Sequence, residues 1–168
     1  MDNERLPQNC FVLVLLLATA KAIYDYQQLP DVLASHFNAF GTPNGWMSKA
    51  AFFVFYAAIV LMSALVGFVI PRRIAASPDS RLRLPNKDYW LAPERRAGTF
   101  AFFKRQFAWY GCALLALEVI VMEMAMSANL HAPIRLAPAP MLALILAFVG
   151  FNLYWVLQLH RRFSNTSL

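Results

Sequence analysis

Charge is what this chain has least of. Asp, Glu, Lys and Arg make up 14% of its 168 residues against 60% that are hydrophobic, and a soluble domain of that length could not hide so much apolar surface from water. Cysteine is nearly missing as well. Cys10 and Cys112 are the only two, and without CxxC spacing they offer no thiol cluster for a metal or a redox centre. There is no Walker loop, dinucleotide fingerprint, nucleophile elbow or HExxH, so the motifs that mark nucleotide hydrolysis, hydride transfer, serine-type hydrolysis and zinc peptidases give no support to those chemistries. Basic residues outnumber acidic ones by 15 to 9, for a net charge of +6. They follow no recognisable nucleic-acid-binding pattern, so no nucleic-acid partner is expected. No internal repeat is found.

What the chain does have is long apolar runs, and a helix needs about 20 such residues to cross a bilayer. Four runs approach that length, at about residues 8–26, 50–70, 107–128 and 139–158. Ala50 to Ile70 is the clearest, with 21 residues and no formal charge. The first is the weakest, because its strictly apolar core runs only from Cys10 to Ala20 and Lys21 lies near its end, where the stem could snorkel toward the headgroups. Ala18-Thr19-Ala20 resembles a signal-peptide cleavage site. Asp2 and Glu4 set against Arg5 are not the basic cluster such signals carry, so an uncleaved first span is expected.

Orientation follows from the Lys and Arg count by loop. Arg5, nine residues between Arg72 and Arg105, and Arg161 with Arg162 put 12 of the 15 on one side, leaving Lys21, Lys49 and Arg135 for the other. Both termini and the central connector, residues 71–106, are therefore expected in the cytoplasm, and both cysteines fall early in spans starting there, where thiols stay reduced.

Between the first two spans, residues 29–49 read as a specified object. Pro30 suits a first helical turn, which predicts a short helix over Asp31 to Phe37, with Asn38 to Trp46 irregular and Ser48 capping the next span. Pro71 is expected to close that span. Ala75 to Pro85 is polar and turn-rich. Glu94 to Arg105 predicts a basic, aromatic helix at the lipid interface, whose Phe100, Phe103 and Phe107 could equally pack on the bundle. Asn129 to Pro138 suits a tight connection.

LPD followed by SHFNAFGTPNGWMSK resembles the signature of DUF1648, a domain of unknown function found in multi-pass bacterial membrane proteins that include relatives of the SdpI immunity protein. PNKDYWLAPERR, residues 85–96, resembles a segment that follows the second span in many of these proteins, which extends the resemblance over about the first hundred residues. The chain lacks the GIRTPW-like stretch of the C-terminal part of SdpI-type proteins and has NKDYWLAPERR instead. The resemblance implies a non-enzymatic role: immunity to a membrane-active peptide or toxin, or signalling from the outer face.

Several polar groups are candidates for that role. Asp31 and His36 could supply a carboxylate and an imidazole, but two groups five residues apart are not a metal-ligand spacing, and hydrogen bonds that fix the loop are the plainer reading. Asn38 belongs to the same stretch. Trp46 suits an anchor at the water boundary or a contact for a partner. Asn86, Tyr89, Trp90, Glu94 and Arg95 could form a binding site or fold the connector back under the bundle. Within the spans, Lys21, Glu118, Glu123 and Asn152 are the polar candidates. At about 1.5 Å per residue, Glu123 lies ~24 Å up its helix and Lys21 ~20 Å up its own, which predicts a pair. Glu118 has no basic partner at its depth; a protonated carboxyl there would hydrogen-bond a neighbouring helix, and a proton or ion pathway is the functional alternative.

The reading is an all-α integral membrane four-helix bundle, one transmembrane domain over residues 1–168. It has a short structured extracytoplasmic loop and a cytoplasmic connector carrying an interfacial helix. It sits in the bacterial cytoplasmic membrane, in contact with lipid and with a peptide or protein partner at the outer face. No cofactor or metal is expected. The alternative is a small transporter or membrane-embedded enzyme built around Glu118.

Overall fold

The computed structural model describes residues 5–166; Asp2 and Glu4, weighed above against a signal peptide, lie outside them. Four apolar helical stretches dominate, each long and apolar enough to cross a membrane. They are α1 (Leu6–Gln28), α2 (Lys49–Ala64) continued through a π-helical turn (Leu65–Val69) into α3 (Ile70–Ala75), α5 (Pro93–Asn129) and α6 (Pro138–Ser164). A single turn, α4 (Lys87–Trp90), precedes α5. Val12, Leu13, Leu16, Leu17, Val54 and Leu153 are all more than half exposed, an arrangement stable against hydrocarbon and costly in water. This is a membrane protein.

Contacts set the direction of each helix. Cys112 Sγ lies 3.1 Å from Pro7 O, and Lys21 Nζ reaches Glu123, so α1 and α5 run parallel. Ser63 meets Glu118 and Gly67 meets Gly111 on α5, while Asn152 meets Tyr110 and Phe163 meets Phe103, so α2 and α6 run antiparallel to α5. The beginning of α1 and the end of α6 therefore lie at the connector end of the bundle, and residues 29–48 lie at the other.

That other end is where sequence and structure part. The segment holds no helix after α1; it is an antiparallel hairpin of β1 (Val32–Phe37) and β2 (Pro43–Ser48), pairing Val32 with Ser48, Ala34 with Trp46 and Phe37 with Pro43. The register shifts twice, between Ala34 and His36 and between His36 and Phe37. Pro30 does not open a helix. Its ring disfavours helical backbone at Leu29, whose ψ of 144° ends α1. The six residues of β1 are too few for apolar spacing to separate strand from helix. Ser48 does cap α2, accepting from the Ala51 amide at 3.3 Å.

Two glycines permit this geometry. Gly41 has φ +74° and packs directly on Leu136, whose amide donates to Gly41 O at 3.0 Å, so the hairpin tip sits on the α5–α6 connection. Gly45 leaves room for a ring, since a Cβ there would lie 3.1 Å from His36 Nδ1.

Pro71 does not terminate the second span either. It lacks the N–H that would close the turn on Gly67, and the helix widens instead: Ile70 N donates to Leu65 O, five residues back, before the chain continues to Ala75. Likewise the interfacial helix expected over Glu94 to Arg105 is the first part of α5, whose 37 residues reach about 55 Å. Its phenylalanines pack rather than face lipid: Phe103 stacks on Phe163 at 4.9 Å and Phe107 meets Trp155 at 5.4 Å. The turn-rich stretch before it is also tied down, by paired contacts from the Arg96 guanidinium to the Asp79 carboxylate at 3.0 to 3.3 Å.

Candidate functional site

The hairpin end is built from one buried cluster, Leu29, Leu33, Phe52, Tyr56, Met122, Ala125 and Met126, drawn from the end of α1, β1, α2 and α5. Hydrophobic contact alone would let a two-stranded hairpin slide. Asn129, at the last turn of α5, prevents this. Its Oδ1 accepts from the Ala34 amide at 2.8 Å, and its Nδ2 donates to Ala34 O at 2.9 Å and to Ala125 O at 2.8 Å. The carboxamide thus pairs with β1 as a third strand would, in a buried setting where such bonds are costly to lose.

Beneath the hairpin lies a groove of about 790 Å³ between α2, α5 and α6. Phe52, Phe55, Met122, Leu142 and Ile145 form part of its apolar wall, and Ser35, His36 and Asn38 form its polar roof. The volume falls within the ~300–1,000 Å³ typical of ligand sites. Asn38 Oδ1 is taken by the Phe40 and Thr42 amides at 2.9 and 3.0 Å, while Ser35 Oγ and His36 Nδ1 share a contact at 3.1 Å. A second apolar groove, of about 420 Å³, runs between α1 and α2.

The sequence-derived candidates divide by where the fold puts them. His36 and Asn38 line the groove. Asp31 does not: it pairs with Lys49 at 3.4 Å, and its backbone oxygen accepts from the Lys49 amide, so Asp31 and His36 make separate contacts. Lys49 completes this clamp by donating to Leu29 O at 2.8 Å. Trp46 is half-exposed on β2 and outside the groove lining. Among the described residues no group of His, Cys, Asp and Glu could hold a metal ion.

At the connector end, most of the candidate polar groups are spent on the chain itself. Asn86 Nδ2 donates to Phe163 O and Ser164 O, and Trp90 Nε1 donates to Phe163 O, which satisfies carbonyls left open at the end of α6. Arg95 donates to Tyr89 O and lies 4.0 Å over the Tyr89 ring, with Glu94 beside it at 2.8 Å.

Within the bundle, Lys21 and Glu123 do meet, at 2.9 Å. Lys21 also contacts both Asp25 oxygens, at 2.7 and 2.6 Å, and the Asp25 side chain is 2% exposed. Lys21 therefore serves two carboxylates, and its role in the fold rests mainly on the buried one. Replacing Lys21 by Met is expected to cost roughly 3 kcal/mol, the scale for leaving a buried charge such as Asp25 without its partner, against about 1 kcal/mol for Glu123→Gln at a half-exposed site. Exchanging the two charges should fail to rescue, because a glutamate at position 21 would face Asp25. Chemical denaturation in detergent measures all three; a full rescue by the exchange would contradict this arrangement.

Glu118 takes its hydrogen bond from Ser63, at 2.5 Å, in the seam where α2 and its π turn cross α5. Gly67 and Gly111 meet backbone to backbone there. Tyr110 donates to Asn152 Oδ1 at 2.7 Å, holding α6 to α5. Sequence reasoning missed Asn129, Ser63, the glycine pair and the burial of Asp25. The spacing of Ser63 and Gly67, four residues apart in an apolar run, is a small-residue helix-contact signal and could have located the seam.

Most of α1, the hairpin and nearly all of α2 coincide with a known domain. Residues 13–62 match the family model DUF1648, Domain of unknown function. The DUF1648 match thus takes in β1, β2, Lys21, Asp25, His36, Asn38 and Lys49. The segment at 85–96 falls beyond it, as do Glu118 and Asn129. No curated protein and no solved structure matches the chain.

Proposed function

We propose that this chain is a non-enzymatic binding protein of the bacterial inner membrane, with its hairpin end outward. The groove under the hairpin would receive the apolar side chains of a partner peptide, in immunity or signalling of the kind the SdpI resemblance implies. The observation that carries the reading is the groove itself: an apolar wall of ligand-site size beneath the polar atoms of Ser35, His36 and Asn38. Apolar anchors in a groove with polar contacts at its rim are how amphipathic peptides are held. The outward placement rests on the 12 basic residues expected at the opposite end.

The alternative built on Glu118 has less behind it, because that carboxylate is engaged by Ser63 within a packed helix seam. A photoreactive residue in place of Leu142, on the groove wall, tests the choice in native membranes. The expected result is a peptide adduct that is lost when Ala139→Trp fills the groove, reduced up to about tenfold by His36→Ala, and kept in Glu118→Gln. A tenfold loss corresponds to ~1.4 kcal/mol, the upper range for one ordinary hydrogen bond. Loss of the adduct in Glu118→Gln, with Ala139→Trp unaffected, would favour the transporter or enzyme reading.

A further inference from the structure

At the opposite end of the bundle, α1, α3 and α5 enclose a pocket of about 80 Å³ lined by Gln8, Phe68, Pro71, Arg72, Lys104, Arg105 and Ala108 among others. It is far smaller than the ~300 Å³ at which sites for drug-sized ligands begin, and it is divided in character. Phe68, Pro71 and Ala108 give it an apolar floor; Arg72, Lys104 and Arg105, with the neutral amide of Gln8, give it a cationic mouth. No carboxylate among the described residues pairs with Arg72, Lys104 or Arg105. Asp79 and Glu94, the connector acids that do form pairs, are taken by Arg96 and Arg95.

Position gives this cluster its meaning. Arg72 comes just after the uncharged run Ala50 to Ile70, and Lys104 and Arg105 come just before the run from Phe107 to Ala128. The three charges therefore stand where the apolar spans give way to polar chain, at the depth of lipid headgroups. A second pocket, on the other side of Ala101 and Arg105, adds Arg162, whose guanidinium lies 4.6 Å over the Phe102 ring.

We infer that the α1–α3–α5 pocket is a binding site for the phosphate of an anionic phospholipid, with the start of an acyl chain on Phe68 and Ala108. Three cations without a carboxylate partner, over an apolar floor, complement such a lipid in both charge and polarity, and basic pockets between membrane helices are suited to headgroups of this kind. A free phosphate would satisfy the mouth and gain nothing from the floor.

Native mass spectrometry of the full chain in detergent tests this, with phosphatidylglycerol and phosphatidylcholine added at equal concentration. Phosphatidylglycerol is expected to stay bound and phosphatidylcholine to leave. At about fivefold per basic residue, the combined change Arg72→Gln, Lys104→Gln and Arg105→Gln should weaken retention on the order of 100-fold. Removing the same charge outside the pocket, by Arg81→Gln, Arg83→Gln and Lys87→Gln, should weaken it far less, because none of these three lines the pocket. Lys104→Arg should bind as before, and Ala101→Phe, which keeps every charge but fills the space, should lose the lipid. Equal losses from the two triple variants would overturn the site in favour of diffuse attraction. So would retention in Ala101→Phe, or displacement by glycerol 3-phosphate at comparable concentration.

Discussion

Replacing Asn129 by aspartate is expected to destabilise the protein by about 3 kcal/mol or more, the scale for leaving several buried polar groups unmatched. The Asn129 amide nitrogen now donates to Ala34 O and Ala125 O. A carboxylate of nearly the same shape would turn acceptor oxygens toward both carbonyls. Asn129→Leu removes the charge conflict but leaves the Ala34 N–H and C=O without partners, and about 2 kcal/mol is expected. The loss should be local before it is global. Hydrogen exchange should rise at Ala34 and along β1 while α5 keeps its protection up to Ala125, because the carboxamide is the polar link between strand and helix. An Asn129→Asp protein within 1 kcal/mol of wild type in detergent denaturation would contradict this role.

The second large effect is expected at Gly111. A Cβ there would lie 2.8 Å from Gly67 Cα and 3.1 Å from Ser63 O, and backbone atoms cannot rotate aside as a side chain can. Gly111→Leu should therefore push α2 away from α5 and cost roughly 3 kcal/mol, the upper range for overpacking. The same movement would separate Ser63 from Glu118, so the damage reaches the membrane-embedded carboxylate without touching it. Gly98 and Gly150 supply the control, since nothing lies within 4 Å of a Cβ at either. Leucine at those positions should be neutral or slightly stabilising, because glycine costs a helix about 1 kcal/mol relative to better helix formers. Thermal unfolding of the purified protein in detergent separates the cases, and a Gly111→Leu protein as stable as Gly98→Leu would refute the close crossing.

The spans could be read from the sequence because the property that marks them, a run of about 20 apolar residues, is local. The Lys21–Glu123 contact was accessible for a related reason: residues on regular helices have depths that follow from counting, and opposite charges at equal depth have little else to pair with. Asp25 lay four residues along the same helix, at a spacing that permits pairing. Its burial depends on how α1 packs, which no spacing reveals.

The hairpin was illegible for the opposite reason. Its strands are short, and their state is decided by Asn129, which lies 95 residues beyond Ala34 in the chain, and by the fit of Gly41 on Leu136. The connector left two readings open in the sequence. Asn86 and Trp90 suit a binding site or a chain folded back under the bundle, and their partner is a carbonyl at the end of α6, a group no local pattern names. His36 and Asn38 lie in the stretch that the sequence marks, and the fold sets them over a groove whose other walls come from α2, α5 and α6.

The claim on which the functional account depends is that this groove, and not the one between α1 and α2, receives a partner. Photoreactive residues placed at Leu142 and, separately, at Ile23 test it in the same membranes, since each lies on one groove. The account predicts a peptide adduct from position 142 and lipid adducts alone from position 23. Lipid adducts of the same composition from both positions would contradict it, and would leave the space under the hairpin as part of the lipid-facing surface.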